Sequence, residues 1–169
     1  IGAVNVLKIK RLNNGIKLYG YNSDVIGIRD SILPLITNGV DSAIVMGTGG
    51  SSRAVCYVLK KLGIKVTLIS RSKKPGILSY SDITSDLLDN TGIIINTTPL
   101  GMFPNIDTSP DLDYTLLNYK HILFDLVYNP EHTSFLKKGK ERGCTIICGL
   151  RMLHSQAERA WEIWNDNTY

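Results

Sequence analysis

At 169 residues, 43% hydrophobic and 20% charged, the chain has the make-up of a single globular domain large enough to bury a sizeable core. The net charge of +4 is mild and comes with no long basic run or RNA-binding signature, which argues against nucleic acid and for small anionic ligands. No apolar stretch reaches the roughly 18 residues of a membrane span and no signal peptide opens the chain, so a cytoplasmic protein is expected. Cys56, Cys144 and Cys148 sit in apolar surroundings and read as free thiols; neither they nor His121, His132 and His154 follow a ligand spacing, so no metal site is expected.

Ile1-Gly2-Ala3 has no initiator Met and no turn signal before the first strand pattern, and reads as the start of a piece cut from something longer. Val4 to Arg11 and Ile16 to Tyr21 alternate around Asn13-Asn14-Gly15, which predicts a β-hairpin. Asn22-Ser23-Asp24 then caps a helix carrying Ile28, Ile32, Leu33, Leu35 and Ile36, with Pro34 near its end and Asn38-Gly39 as its stop.

The stretch Ala43 to Ala54 organises the rest. Ala43 to Met46 is a short apolar strand, Gly47, Gly49 and Gly50 form a turn, and Ser51 to Leu62 has helical spacing. This is the order of a nucleotide-binding βαβ unit, in which the glycines let the backbone approach a pyrophosphate and the helix start offers free amides to the anion. Ser52 stands where Gly or Ala is usual at the third fingerprint position. Ile64 to Ser70 is placed to be the unit's second strand. Its end decides the cofactor: an acid there would hold a ribose 2′-hydroxyl, whereas cations accommodate a 2′-phosphate. The sequence is Ser70-Arg71-Ser72-Lys73-Lys74, with no acid between Gly47 and Asp82, so NADP is expected over NAD; the plain alternative is a solvated basic turn.

Lys73 to Asp89 is polar, with a short helical stretch near Asp82 to Leu88. Ile93 to Ile95 is a strand running into Asn96-Thr97-Thr98-Pro99-Leu100-Gly101-Met102, and Phe103 to Tyr114 reads as an exposed loop. Ile122 to Val127 is the next strand, and Asn129-Pro130-Glu131 opens a helix running to about Arg142, closed by Gly143. Thr145 to Cys148 is another strand. The last helix shows Leu150, Leu153, Ala157, Trp161 and Trp164 at helical spacing, and Met102, Met152 and both tryptophans are expected to pack. The fold class expected is α/β: a Rossmann-type open parallel sheet with helices on both faces, preceded by a hairpin and connecting helix. The divisions are 1–36 for the junction, 40–148 for the cofactor-binding domain and 149–169 for a helix returning to the cleft.

Seven blocks in order along nearly the whole chain resemble the shikimate dehydrogenase family: Gly2-Ala3-Val4-Asn5, Gly20 to Asp24, Gly47 to Gly50, Ser70-Arg71-Ser72, Asn96 to Met102, Asp125 to Pro130, and Gly149-Leu150 with Met152, Leu153, Gln156 and Ala157. The resemblance implies NADP-dependent interconversion of 3-dehydroshikimate and shikimate, in a monomer or homodimer with no nucleic-acid or membrane partner. It implies cofactor contacts at Gly47, Thr48, Gly49, Gly50, Ser51, Ser70, Arg71, Ser72, Lys73, Lys74, Thr97, Leu126 and Gly149. It places substrate at Asn5, Asp24, Tyr128 and Gln156, with Asp24 catalytic as the partner of a lysine.

In the family that lysine and a serine pair belong to an amino-terminal domain upstream of the Gly-Ala-Val-Asn block, which is expected to be missing here, leaving this piece inactive alone. Without the family, Asn5 is a strand-edge polar residue, Asp24 a helix cap, Tyr128 a half-buried strand-end ring, and Gly149 and Gln156 an ordinary helix start and a polar face residue. Ser70 for the usual Asn, and Ser23 for the usual Thr before Asp24, depart from the family pattern. The competing reading is a noncatalytic NADP-binding sensor or scaffold module.

Overall fold

The computed structural model describes residues 1–36 and 39–166. Asn38, expected as part of a helix stop, lies outside them. Six strands form one parallel sheet: β3 (Ser42–Met46), β4 (Lys65–Ser70), β5 (Leu78–Ser79), β6 (Ile93–Asn96), β7 (Ile122–Asp125) and β8 (Thr145–Ile147), in the order β5-β4-β3-β6-β7-β8. The chain builds outward from β3 to one edge, then returns to build from β6 to the other. The reversal lies between β3 and β6, and it opens a crevice at their carboxyl ends.

Alternate residues of each strand serve opposite faces, and both faces are covered. Ala43 and Val45, Ile93 and Ile95, and Phe124 pack with α1 (Asp24–Ile32), α2 (Gly50–Lys61) and the start of α5 (Leu150–Asn165) through Ile28, Ile32, Val55, Leu59 and Met152. Ile44, Met46, Ile94 and Leu123 pack with α3 (Ser85–Asp89) and α4 (Ser134–Glu141) through Leu88, Phe135 and Leu136. Burial on both sides is why these strands read as unbroken apolar runs. Among the described residues, no helix is long and apolar enough to cross a membrane.

The hairpin of β1 (Val6–Leu12) and β2 (Gly15–Tyr21) pairs antiparallel, with Leu12 opposite Gly15. Leu7, Ile9, Leu12, Ile16 and Leu18 are exposed, and Val6 packs with Ala160 and Ile163 of α5. Helix α1 differs from the expected cap. The Ser23 side chain makes no capping bond; its amide donates to Asn5 Oδ1 at 2.8 Å, and its hydroxyl accepts from Asn5 Nδ2 at 3.1 Å. The helix ends at Ile32, before Pro34, whose ring cannot continue it.

Three further departures have local causes. The polar stretch Lys73 to Asp89, expected to hold one short helix and no strand, also carries the edge strand β5; Pro75-Gly76 turns the chain before it, with Lys74 and Ile77 exchanging both backbone hydrogen bonds at 3.1 and 2.9 Å and Gly76 at φ +74°. Helix α4 starts at Ser134, not at Asn129, because the Thr133 hydroxyl accepts from the Leu136 amide at 3.3 Å and makes Thr133 the cap. Helix α3 starts at Ser85, with Thr84 as its cap, because Asp82 is held by the Ser79 amide at 2.8 Å and the Ser79 hydroxyl at 2.7 Å.

The apolar stripe expected on the last helix is not the buried one. Trp161 and Trp164 are 67% and 54% exposed, Leu150 and Met102 are also exposed, and α5 buries Met152, Ala160 and Ile163. The helix leaves the sheet after its first turns and meets the hairpin, so its inward face is set by Gly27 at one end and Val6 at the other. A Cβ on Gly27 would stand 2.5 Å from the Met152 carbonyl oxygen, which is how α1 and α5 come so close.

Candidate cofactor and substrate site

The site is built where β3 and β6 end. Gly47 follows β3 at φ +114°, and a Cβ there would stand 2.5 Å from Thr97 Oγ1, so a side chain is barred by conformation and by space together. Thr97 follows β6 and donates its hydroxyl to the Met46 carbonyl at 2.7 Å, which joins the two strand ends across the crevice. Gly49 is the N-cap of α2, makes no side-chain capping bond, and has nothing within 4 Å of where its Cβ would be. No acid occupies the first turn of α2. Open space before the first amides of a helix, with no competing carboxylate, fits a pyrophosphate.

A cavity of about 320 Å³ runs from this turn to the end of β4, lined by Gly47, Thr48, Gly49, Ser70, Arg71, Tyr80, Thr97, Thr98, Pro99 and Leu100. Tyr80 carried no signal in the sequence. It arrives because β5 pairs with β4 in the register Ile69 with Leu78 and Ser70 with Ser79, which delivers the next residue beside Arg71. Burial raises the Tyr80 phenol above its ordinary pKa, Asp111 adds to this, and Arg71 opposes it.

Arg71 is exposed and makes no ion pair among the described residues, whereas Lys73 pairs with Asp82 at 3.0 Å. The Ser79 bonds and Lys73 together hold the Asp82 carboxyl down at about 2. Lys73 and Lys74 line a separate open depression with Pro75, Gly76, Ile77 and Leu78, not the cavity that contains Arg71. Ser70 and Ser72 close a small turn, the Ser70 hydroxyl donating to the Ser72 carbonyl at 2.5 Å.

On the other side of the crevice a cleft of about 420 Å³ is lined by Ser51, Thr97, Thr98, Pro99, Met102, Phe103, Leu126, Val127, Tyr128 and Asn129. It shares Thr97, Thr98 and Pro99 with the first cavity, so the two form one path along the carboxyl edge of the sheet. Tyr128 is half-exposed at its rim. Gly149 is buried behind this wall, where a Cβ would collide with the Leu126 carbonyl; the close approach it permits is that of α5 to the end of β7.

Asn5 and Asp24 meet at the junction of hairpin and domain, where Asn5 Nδ2 donates to Asp24 Oδ1 at 2.7 Å. Burial raises the Asp24 carboxyl above its ordinary pKa, and the Asn5 bond opposes this by favouring the ionised form. Gln156 is half-buried on α5. Asp24 and Gln156 each stand one turn from the crossing of α1 and α5 at Gly27 and Met152, and neither lines the two cavities.

Fold and edge together define a Rossmann-type dinucleotide-binding unit with a cationic end to its second strand. The chain is related over nearly its whole length to the shikimate dehydrogenases. It is 41% identical to the NADP(+) shikimate dehydrogenase of Methanococcus aeolicus over 179 residues, an alignment covering 97% of this chain and 63% of that protein. The crystal structure of shikimate dehydrogenase from Aquifex aeolicus superposes with a TM-score of 0.79 at 35% identity, covering 97% of this chain and 62% of that one. The Thermus thermophilus enzyme, solved with NADP(H) and shikimate, gives 0.75 at 25% identity, covering 93% and 60%. The chain thus spans about three fifths of the length of the curated relatives it matches. No family model matches it.

Proposed function

We propose that this chain is the cofactor-binding part of a cytoplasmic NADP-dependent shikimate dehydrogenase. The observation that carries the reading is Arg71: an exposed guanidinium with no ion-pair partner among the described residues, at the end of the second Rossmann strand and in the same cavity as the glycine turn. Gly47 to Ser51 would hold the pyrophosphate, Arg71 the 2′-phosphate, and the cleft from Thr97 to Tyr128 the nicotinamide. Lys73 is engaged by Asp82, and both Lys73 and Lys74 line the neighbouring depression, so they would add to the cationic field around the phosphate while Arg71 contacts it. When bound, the cofactor would supply the hydride that reduces a ketone to an alcohol.

The remaining chemistry is proton transfer and orientation. Tyr128 and Gln156 would hold substrate hydroxyls, and Asn5 would fix the Asp24 carboxylate so that it orients the proton donor to the developing alkoxide. In this reading the donor is a lysine from the part of the relatives that this chain does not span. The chain alone therefore should bind NADP and turn nothing over; shikimate oxidation by the purified 169-residue protein at the rate of a full-length relative would refute this.

Calorimetric titration with NADP and NAD tests the cofactor assignment. A charge-assisted contact between Arg71 and a phosphate contributes about 1.5 to 3 kcal/mol, so NADP should bind on the order of tenfold to a hundredfold more tightly. Arg71→Ala should abolish most of that preference and leave NAD binding nearly unchanged. Equal affinities in the unmutated chain, or a preference that survives Arg71→Ala, would overturn it.

A further inference from the structure

Three polar side chains that no part of this mechanism uses, Asn96, Asp125 and Thr133, are wholly buried together at the carboxyl end of the sheet. Asp125 ends β7. Its Oδ1 accepts from Asn96 Nδ2 and from the Val127 amide, each at 3.0 Å, and its Oδ2 accepts from the Thr133 hydroxyl at 2.6 Å. Asn96 ends β6 and passes the connection on: its Oδ1 accepts from the Thr98 hydroxyl at 2.6 Å and the Thr98 amide at 3.0 Å, while its Nδ2 also donates to the Leu100 carbonyl at 3.2 Å.

One carboxylate thus ties down both loops that face each other across the 420 Å³ cleft, Thr97 to Leu100 on one wall and Leu126 to Tyr128 on the other, and anchors both to the cap of α4. Burying an ionised carboxyl is costly, and a core serving stability alone would be better filled by an apolar residue. The bonds it makes are to loop backbone and to the side chain that holds loop backbone, not to another charge. We propose that Asp125 is a positioning residue that holds the two walls of the nicotinamide cleft at a fixed separation, with Asn96 and Thr133 as its arms. It touches neither cavity and acts only through Val127, Asn96 and Thr133.

The proposal rests on the reading above that this cleft takes the nicotinamide half of NADP, and the test separates the two. The 169-residue chain is titrated with NADPH, followed by the emission of its reduced nicotinamide, and with adenosine 2′,5′-bisphosphate, which carries only the other half of the cofactor. The variants are Asp125→Asn, Thr133→Val and Thr133→Ser. An asparagine cannot give three donors a charged acceptor, and valine leaves Oδ2 without its donor, so both should weaken NADPH by about fivefold or more. Both should also return the emission of bound NADPH toward that of the free molecule, while bisphosphate binding stays within twofold. Thr133→Ser keeps the hydroxyl and should behave as wild type.

Equal losses for NADPH and the bisphosphate would show a structural role only and overturn the proposal. Unchanged NADPH emission in both disruptive variants, or a Thr133→Ser as impaired as Thr133→Val, would overturn it too. Should the unmutated chain bind NADPH with no change in emission, the cleft does not hold the nicotinamide, and the proposal falls with that reading.

Discussion

On the reading proposed above, replacing Asp24 by Asn in the intact enzyme is expected to lower turnover about a hundredfold to ten-thousandfold while leaving NADP affinity unchanged, the range for losing one half of an acid/base pair. The structure makes this substitution a clean one. Asp24 gives α1 no side-chain cap, since the bonds at the helix start run between Ser23 and Asn5, so the helix does not depend on the carboxylate. The oxygen of an asparagine amide can still accept from Asn5 Nδ2, as Oδ1 does now at 2.7 Å. Shape and the Asn5 contact survive, and the charge goes. Kinetic constants, a cofactor titration and a thermal melt on the same preparation decide the matter. Turnover within about threefold of wild type, or a melting temperature that falls in step with activity, would make Asp24 a residue of the junction and not of the chemistry.

The second large effect is in stability, and its sign runs against the usual behaviour of carboxylates. Burial pushes Asp125 up to about 6 from an ordinary 3.8, despite the bonds from Thr133, Val127 and Asn96. Between those values the folded protein holds a proton that the unfolded chain has released, so stability rises as the pH falls through 6, is fully present below about 4, and is lost on the way back up. For a shift of this size the gain from pH 7 to pH 4 is roughly 2 kcal/mol. Asp82, held down at about 2, and Asp113, also lowered, work the other way: the folded state favours their ionised forms, and that contribution is lost as the pH falls below the ordinary carboxylate range.

The measurement is therefore the difference between wild type and Asp125→Asn. Urea unfolding at pH 7, 5.5 and 4 should show wild type gaining about 2 kcal/mol relative to the variant as the pH falls. A difference independent of pH would mean that Asp125 titrates in the fold as it does in the unfolded chain.

The parallel sheet was legible because burial on both faces writes itself into the chain as apolar runs at Ala43 to Met46, Ile93 to Ile95 and Ile122 to Phe124, each bounded by turn residues. Gly47 could be placed for a similar reason. A positive φ and a close neighbour admit only glycine, so the residue type reports the geometry directly. The place of Arg71, just past the second strand of the unit and in the cavity of the glycine turn, was legible from its position after Ile64 to Ser70.

What failed was whatever depends on a partner distant in the chain. The last helix has two apolar stripes a fraction of a turn apart, and only the positions of Gly27 and Val6 decide that Met152, Ala160 and Ile163 face inward while Trp161 and Trp164 do not. The cap of α4 moved to Thr133 because its hydroxyl, besides accepting from Leu136, has a buried carboxylate to bind eight residues earlier. Tyr80 entered the cofactor cavity through the pairing of β5 with β4, a register that no local pattern records.

By itself, then, the amino-acid sequence determined the strands other than β5, the glycine turn and the cationic strand end, because each is imposed on a residue by its own backbone or its immediate neighbours. Only the tertiary structure decided which face of α5 is buried, that Lys73 is bound to Asp82, and that Asn96, Asp125 and Thr133 form one buried network beneath the cleft. Those are pairings between residues 9, 29 and 8 positions apart along the chain. Each needs two groups that only the folded chain brings within reach, and a linear pattern carries no sign of which two groups will meet.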